Sequence, residues 1–332
     1  MKDIATLDRR ALLATLSAGV AAASAPGLAK AVPTHRKIAG IFPIAFTPTR
    51  PDDKVDFEGL ANQVTFCRRG GVQGLAWPQI ASGWTTLTED ERIHGAEALV
   101  NAGRGGRTAI VIGVQSKTGD IAEMQRYARH AEKIGADAII CIPPTGVSPD
   151  GLLAIYQRLG KTVKLPIMVQ AVGDVSVDLL VKMFETIPNV RYVKDEAGDP
   201  LKRIGEITRR THGQLKSFAG RGVYTMISEM ELGFAGHVPF TSLADLYASA
   251  YDQFHAGHKR QAFDTFGRIM AASSMFSQSN INVLVARGVL RPGAGSRLAP
   301  PAAGANSSAM LANTPDEIKR VLDEYLRPYL RA

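Results

Sequence analysis

Eight times after Gly40 the chain repeats one unit: a short β-rich apolar run, a loop holding Gly, Pro, Ser or Asp, then an amphipathic stretch. The apolar runs are Ile41–Phe46, Gly74–Trp77, Thr108–Gly113, Ala138–Ile142, Pro166–Val169, Val190–Lys194, Leu215–Ala219 and Gly236–Pro239. Helical periodicity fills the gaps at Phe57–Arg69, Glu89–Ala102, Asp120–Ile134, Asp150–Lys161, Val177–Thr186, Leu201–Arg210 and Val223–Leu232. A helix between two strands returns the chain parallel to where it started, so this alternation, with no hairpin signal, predicts one parallel sheet. Eight units suffice to close it into a (β/α)8 TIM barrel of the α/β class; an open doubly wound sheet is the alternative.

A single barrel takes up roughly 250 residues, and the chain has 332. We divide it into residues 1–31, a leader; 32–256, the barrel; and 257–332, a helical extension packed on it. The extension comprises helices at Lys259–Ser277, near Asn282–Leu290 and near Pro315–Tyr329, with a Pro- and Gly-rich loop at Arg291–Leu311. Leu243–Ala256 is the helix that follows the eighth strand.

Residues 1–31 hold Arg9-Arg10, a mildly apolar stretch from Ala11 to Ala25, and Leu28-Ala29-Lys30-Ala31, an A-x-A-type cleavage pattern. The segment resembles a bacterial twin-arginine leader and implies export to the periplasm. A general secretory signal, or an Ala-rich tail that stays in the cytoplasm, are the other readings. The apolar part is too short to anchor in a bilayer, and no membrane span is expected after cleavage.

The net charge of +8 would suit a nucleic-acid partner, but the Lys and Arg residues are spread over the helices without stacking aromatics between them, so nucleic acid is excluded. A basic surface suits small anionic substrates. The two cysteines, Cys67 and Cys141, fall on elements across the barrel and are expected as separate buried thiols. Seven scattered histidines offer no metal framework; His255 and His258, beside Gly257, suit a helix end or the surface.

Barrel chemistry sits where the strands end. Val190, Tyr192 and Lys194 share one face of a period-two strand, which puts Lys194 inside the rim, partly desolvated. Desolvation lowers an amine's pKa and leaves the neutral nucleophile that imine formation needs. A structural lysine held by Asp195, Glu196 or another carboxylate is the competing reading.

From Gly40 to about Pro300 the chain resembles the dihydrodipicolinate synthase and N-acetylneuraminate lyase family of class I pyruvate-dependent barrels. The resemblance rests on Phe46-Thr47-Pro48 with Asp56, Leu87-Thr88-Glu89-Asp90-Glu91-Arg92, Gly135-Ala136-Asp137-Ala138, Ile142-Pro143-Pro144 with Gly151-Leu152, Leu165-Pro166-Ile167 and Val193-Lys194-Asp195-Glu196, in that order. It implies that Lys194 is the Schiff-base lysine, that the substrate is a 2-oxo acid or sugar-acid derivative, and that the chain forms a homotetramer or homodimer. The imine is the protein's own electron sink, so no cofactor and no metal is called for.

Several positions depart from the family pattern. Its Gly-Thr-Thr-Gly-Glu carboxylate-binding loop falls on Gln79-Ile80-Ala81-Ser82-Gly83, without either threonine. Ser82, Thr85 or the backbone N–H groups of Ile80 and Ala81 are the replacements, since a carboxylate needs donors of any kind. The family's proton-relaying tyrosine falls on Gln170, whose amide does not titrate, which leaves Tyr192, Glu196 or bound water. The arginine expected after that tyrosine is missing from Ala171-Val172-Gly173-Asp174, and the aromatic pair of the fourth-strand loop is replaced by Pro144-Thr145. Thr47 and Val238 complete the expected rim, Trp77 and Trp84 flank the altered loop, and Arg221 and His237 are placed to bind an anionic tail. Three readings follow: a Schiff-base lyase or aldolase acting through Lys194, a dehydratase or hydratase using the same imine, or a non-catalytic barrel that binds an oxo acid or sugar acid.

Overall fold

Each strand of the repeat pairs in parallel with its neighbours. β1 (Gly40–Ile41), β2 (Gly74–Trp77), β3 (Ala109–Gly113), β4 (Ala138–Cys141), β5 (Ile167–Ala171), β6 (Val190–Asp195), β7 (Lys216–Ala219) and β8 (Gly236–His237) lie in the order β1-β8-β7-β6-β5-β4-β3-β2. The ring closes through Ile44, which bridges in parallel to Ala76 on one side and Phe240 on the other. There Ala45 N–H donates to Ala76 O at 3.0 Å and Ala76 N–H to Pro43 O at 2.9 Å. The first strand is shorter than the expected Ile41–Phe46 because Pro43 has no N–H to give to a ladder. The computed structural model describes residues 36–276, 280–298 and 315–332, all within the unit Arg36–Ala332. The expected leader, and residues 299–311 of the expected loop, lie outside the described residues.

Helices α1 (Phe57–Arg69), α2 (Glu89–Gly103), α3 (Ile121–Ile134), α4 (Pro149–Thr162), α5 (Val177–Thr186), α6 (Pro200–Arg210), α7 (Met226–Glu231) and α8 (Ala244–His255) alternate with the strands. They are followed by α9 (Lys259–Phe276), α10 (Asn280–Ala286) and α11 (Pro315–Val321). The first five start on a side chain that accepts from the opening turn, namely Asp56, Thr88, Asp120, Ser148 and Ser176, so the strand-to-helix loops end at fixed points. The seventh helix begins at Met226, not at Val223, because Arg221 and Val223 take left-handed φ values of 51° and 58° that no α-helix accommodates.

Two large apolar cores result, with a small third cluster of Ile204, Ala219 and Phe234. The larger packs helices against the outer face of the ring; the inner one holds Phe42, Ile44, Val111, Ile140, Met168 and Phe218. Phe42 and Phe218 meet edge-on at 5.4 Å, and a Cβ at Gly74 or Gly236 would run into these rings. Both glycines open their strands, so the aromatic plug fills the N-terminal end of the barrel.

Strand β6 departs from strict alternation at its start. Pairing with β5 shifts from Ile167↔Val190 to Met168↔Tyr192, leaving Arg191 as an extra residue. Val190 therefore packs in the outer core while Tyr192 lies against the inner one. Tyr192 and Lys194 keep a common inner face, but Val190 does not share it. The bulge follows from pairing across strands, which a single strand's pattern does not carry.

The segment after Arg291 is not all loop: Gly295–Ser296 pairs antiparallel with Pro48–Thr49. Cys67 and Cys141 are separate, buried and free, as expected. Burial raises both thiols, that of Cys141 to about 12. His255 sits in the last turn of α8 and is exposed, and His258 lies in the turn that follows. Among the described residues no helix is long and apolar enough to cross a membrane.

The extension is tied down by a buried ion pair. Arg287 forks onto both carboxylate oxygens of Asp245 at 2.8 and 2.7 Å, and Asp245 also accepts the Arg331 N–H at 2.9 Å. Removing one partner strands the other's charge in a dry environment. Arg287→Met is expected to lower unfolding free energy by about 3–5 kcal/mol in a denaturant titration.

Candidate active site at the mouth of the barrel

Above the aromatic plug, Gln170 and Lys194 are the last inward residues of β5 and β6 and lie in register with each other. Lys194 is only 5% exposed. Its Nζ lies 3.1 Å from Oε2 of Glu196. The same oxygen accepts from Gln170 Nε2 at 2.7 Å, and Glu196 Oε1 accepts from the Arg221 backbone N–H at 3.0 Å. Glu196 follows β6 directly, its own N–H donating to Ala171 O at 2.8 Å. Its carboxylate fits because a Cβ at Gly220 would collide with it. The ends of three successive strands thus converge on one carboxylate beside the lysine.

Burial lowers the Lys194 amine below the ordinary 10.5, with Glu196 opposing the shift through its charge and hydrogen bond. Asp195, the other carboxylate in the motif, faces the helix layer, where it pairs with Arg203 at 2.9 Å and accepts the Ala197 N–H. Burial raises the Asp195 carboxyl, against the pull of Arg203. The lysine's partner is therefore Glu196.

The altered loop after β2 uses its hydroxyls internally. Thr47 Oγ1 donates to Ser82 O at 2.7 Å and accepts from Trp77 Nε1 at 2.8 Å. Ser82 Oγ donates to Ala45 O at 2.6 Å and accepts from Gln79 N–H at 3.0 Å. Both hydroxyls hold the loop in shape. Ile80 and Ala81 open a single 3-10 turn, Ile80–Ser82, whose first N–H groups have no acceptor within the turn. Ile80 is 56% exposed, Ala81 touches the inner core, and Thr85 is exposed. At the same end of the sheet, Gln79 and Gln115 both donate to Pro78 O, at 3.0 and 2.9 Å. The side-chain oxygens of Gln79, Gln115 and Gln170 are buried without a partner among the described residues.

Other expected residues lie apart from this group. Tyr192 is one inward step below Lys194, its ring 6.1 Å from that of Phe218 and its phenol raised by burial. Val238 belongs to the inner core. His237 faces outward between Gly236 and Val238: it is fully buried, its Nδ1 lies 2.8 Å from Glu229 of α7, and its ring meets Tyr251 of α8. The Arg221 guanidinium donates to Gly198 O on the neighbouring loop at 2.9 Å. Beside the mouth, a hollow of about 260 Å³ opens between the loop after β8 and helices α8 to α10, with Tyr224, Phe240, Met270 and Asn280 in its walls. Among the described residues no cluster of His, Cys, Asp and Glu is arranged to hold a metal.

A parallel eight-stranded barrel with a buried lysine and polar groups gathered where its strands end is an enzyme-type barrel. The chain belongs to the dihydrodipicolinate synthetase family, whose model matches residues 37–290. A 4-hydroxy-tetrahydrodipicolinate synthase of Phenylobacterium zucineum is 34% identical over 167 residues, which is 48% of this chain and 55% of that one. The chain thus spans little more than half the length of that curated relative. YagE, a prophage protein of the dihydrodipicolinic acid synthase family from E. coli K12 solved in complex with pyruvate, superposes with a TM-score of 0.72 at 18% identity, covering 86% of this chain and 98% of that one. An N-acetylneuraminate lyase from Mycoplasma synoviae gives 0.70 at 19%, covering 87% and 98%. At such identities these structures speak for the fold, and the chain is a divergent member of a family of lyases.

Because burial outweighs Glu196 in setting the Lys194 amine, acylation of Lys194 followed by peptide mass analysis should titrate with a midpoint below 10.5. The unfolded chain keeps that proton up to 10.5, so this group makes stability rise with pH between the lowered midpoint and 10.5. A midpoint at or above 10.5 would contradict the account.

Proposed function

We propose that the protein is a Schiff-base lyase or aldolase acting on a 2-oxo acid or sugar-acid derivative through Lys194. The observation that carries this reading is a lysine 5% exposed, at the end of the sixth barrel strand, with its amine lowered by burial. An amine in that state attacks a carbonyl carbon, and the protonated imine then accepts electrons when an adjacent bond is made or broken. The pyruvate held by YagE supports a 2-oxo acid as the group taken up. Its carboxylate would be received by the Ile80 and Ala81 N–H groups, because the Thr47 and Ser82 hydroxyls are already engaged. The remainder of the substrate would extend toward the hollow beside Phe240, whose aromatic and polar walls suit a hydroxylated chain.

Incubation with pyruvate and a panel of longer 2-oxo acids, with borohydride present, is expected to leave a reduced adduct on Lys194. Lys194→Ala should give none while melting within a few degrees of the native protein. Binding that shifts the melting temperature without any trapped adduct would favour the non-catalytic barrel. Product analysis then separates carbon–carbon cleavage from dehydration.

We also propose that residues 1–31 direct export by the twin-arginine route, and that the chain works as a homo-oligomer. Replacing Arg9 and Arg10 by lysine is expected to leave uncleaved protein in the cytoplasm on cell fractionation. Equal periplasmic yield from both forms would discard that route.

A further inference from the structure

We infer that Glu196 is the group that carries protons to and from the substrate during imine formation, with Gln170 as its positioning residue. The inference rests on the reading of Lys194 as the imine former, and names what works beside it. Glu196 Oε2 is 3.1 Å from Lys194 Nζ, so it lies against the reacting atom. Tyr192 has its ring against Phe218, one inward step below Lys194, and Gln170 has an amide that does not titrate. Both act here through packing and orientation.

The surroundings of Glu196 fit a group that must be held still and yet change protonation. Gln170 Nε2 and the Arg221 N–H each take one carboxylate oxygen, which fixes the plane of the group. Gly220 leaves the space that the carboxylate occupies. No arginine or second lysine is bonded to Glu196 through its side chain among the described residues, so Lys194 is the one charged side chain against its carboxylate. A carboxylate clamped by a guanidinium, as Asp195 is by Arg203, would give up that freedom.

The steps balance within the pair. In the proposed sequence a protonated Glu196 stands beside the neutral Lys194 amine, which attacks the carbonyl carbon; the N–C bond forms, and the π pair moves to oxygen, which takes the Glu196 proton. The carboxylate then removes one proton from the new ammonium, giving a neutral carbinolamine and a carboxylic acid. That acid protonates the hydroxyl, the C–O bond breaks, water leaves, and the nitrogen lone pair forms the iminium. The products are an iminium with one N–H, a carboxylate and one water, matching the amine, acid and ketone consumed. Gln170 is charged with none of these protons and serves to aim Oε2 at the nitrogen.

The test measures the rate of borohydride-trapped adduct formation with pyruvate in the native protein, Glu196→Gln and Gly220→Ala. Glu196→Gln keeps the shape and removes the titrating group; Gly220→Ala keeps the carboxyl and pushes it aside. We expect both to trap at Lys194 to the same end point as the native protein, with rates down on the order of a hundredfold or more. Glu196→Asp should recover part of the loss. A carboxylate that served only as counter-ion would give the opposite: without it the amine is neutral more of the time, and trapping in Glu196→Gln would be as fast or faster. That result would overturn the role of Glu196 and leave Lys194 as imine former standing. A native protein that traps no oxo acid would remove the Lys194 reading and this one with it. If Glu196→Gln melts early, Gly220→Ala decides.

Discussion

Closing a parallel sheet on itself leaves no edge, and here closure depends on a few bonds next to a proline. Pro43 cannot donate, so the first strand hands the task to Ile44 and Ala45, which reach Ala76 and Phe240 on opposite sides. Only with that seam made do all eight strand ends point to one mouth. The same seam sets Thr47 two residues above it, where its hydroxyl joins Trp77 to the loop at Ser82. The floor of the barrel is sealed by Phe42 and Phe218, so the polar groups have one direction in which to meet solvent.

Within the mouth, geometry sorts residues that are neighbours in sequence into unlike environments. Lys194, Asp195 and Glu196 are consecutive, yet Asp195 pairs with Arg203 in the helix layer while the other two pair with each other. Alternation accounts for the first split and departure from the strand for the second. The result is a lysine whose charge is disfavoured by burial and partly restored by one carboxylate, a balance suited to a nucleophile that must also give up a proton.

Much of the barrel is legible because it is local: apolar runs, helix caps and their alternation are written within each strand-helix repeat. Lys194 was legible for the same reason, as the end of a strand. What was not legible depended on partners distant in sequence. The bulge at Arg191 arises from pairing with β5, and the ribbon of Gly295–Ser296 on Pro48–Thr49 joins segments with most of the barrel between them. His237 looked like a rim residue, but the short β8 turns it toward Glu229. For Ser82 and Thr47 the hydroxyl's type is visible in sequence, while its bonds to Ala45, Gln79, Trp77 and the Ser82 carbonyl are not. Glu196 was one of three stand-ins for the missing tyrosine, and only Gln170 and Arg221 arriving on its oxygens set it apart.

The strap from Arg291 to Leu298 leans on the same loop that borders the mouth. Arg297 N–H donates to Thr47 O, its guanidinium reaches Glu91 at 2.6 Å, and a Cβ at Gly83 would strike its backbone. One wall of the mouth is therefore built jointly by residues from the start of the barrel and by a segment laid down after its last helix. During synthesis that wall stays incomplete until Arg297 has left the ribosome, about 60 residues after the eighth strand, so a nascent barrel can close its ring well before it owns a finished mouth.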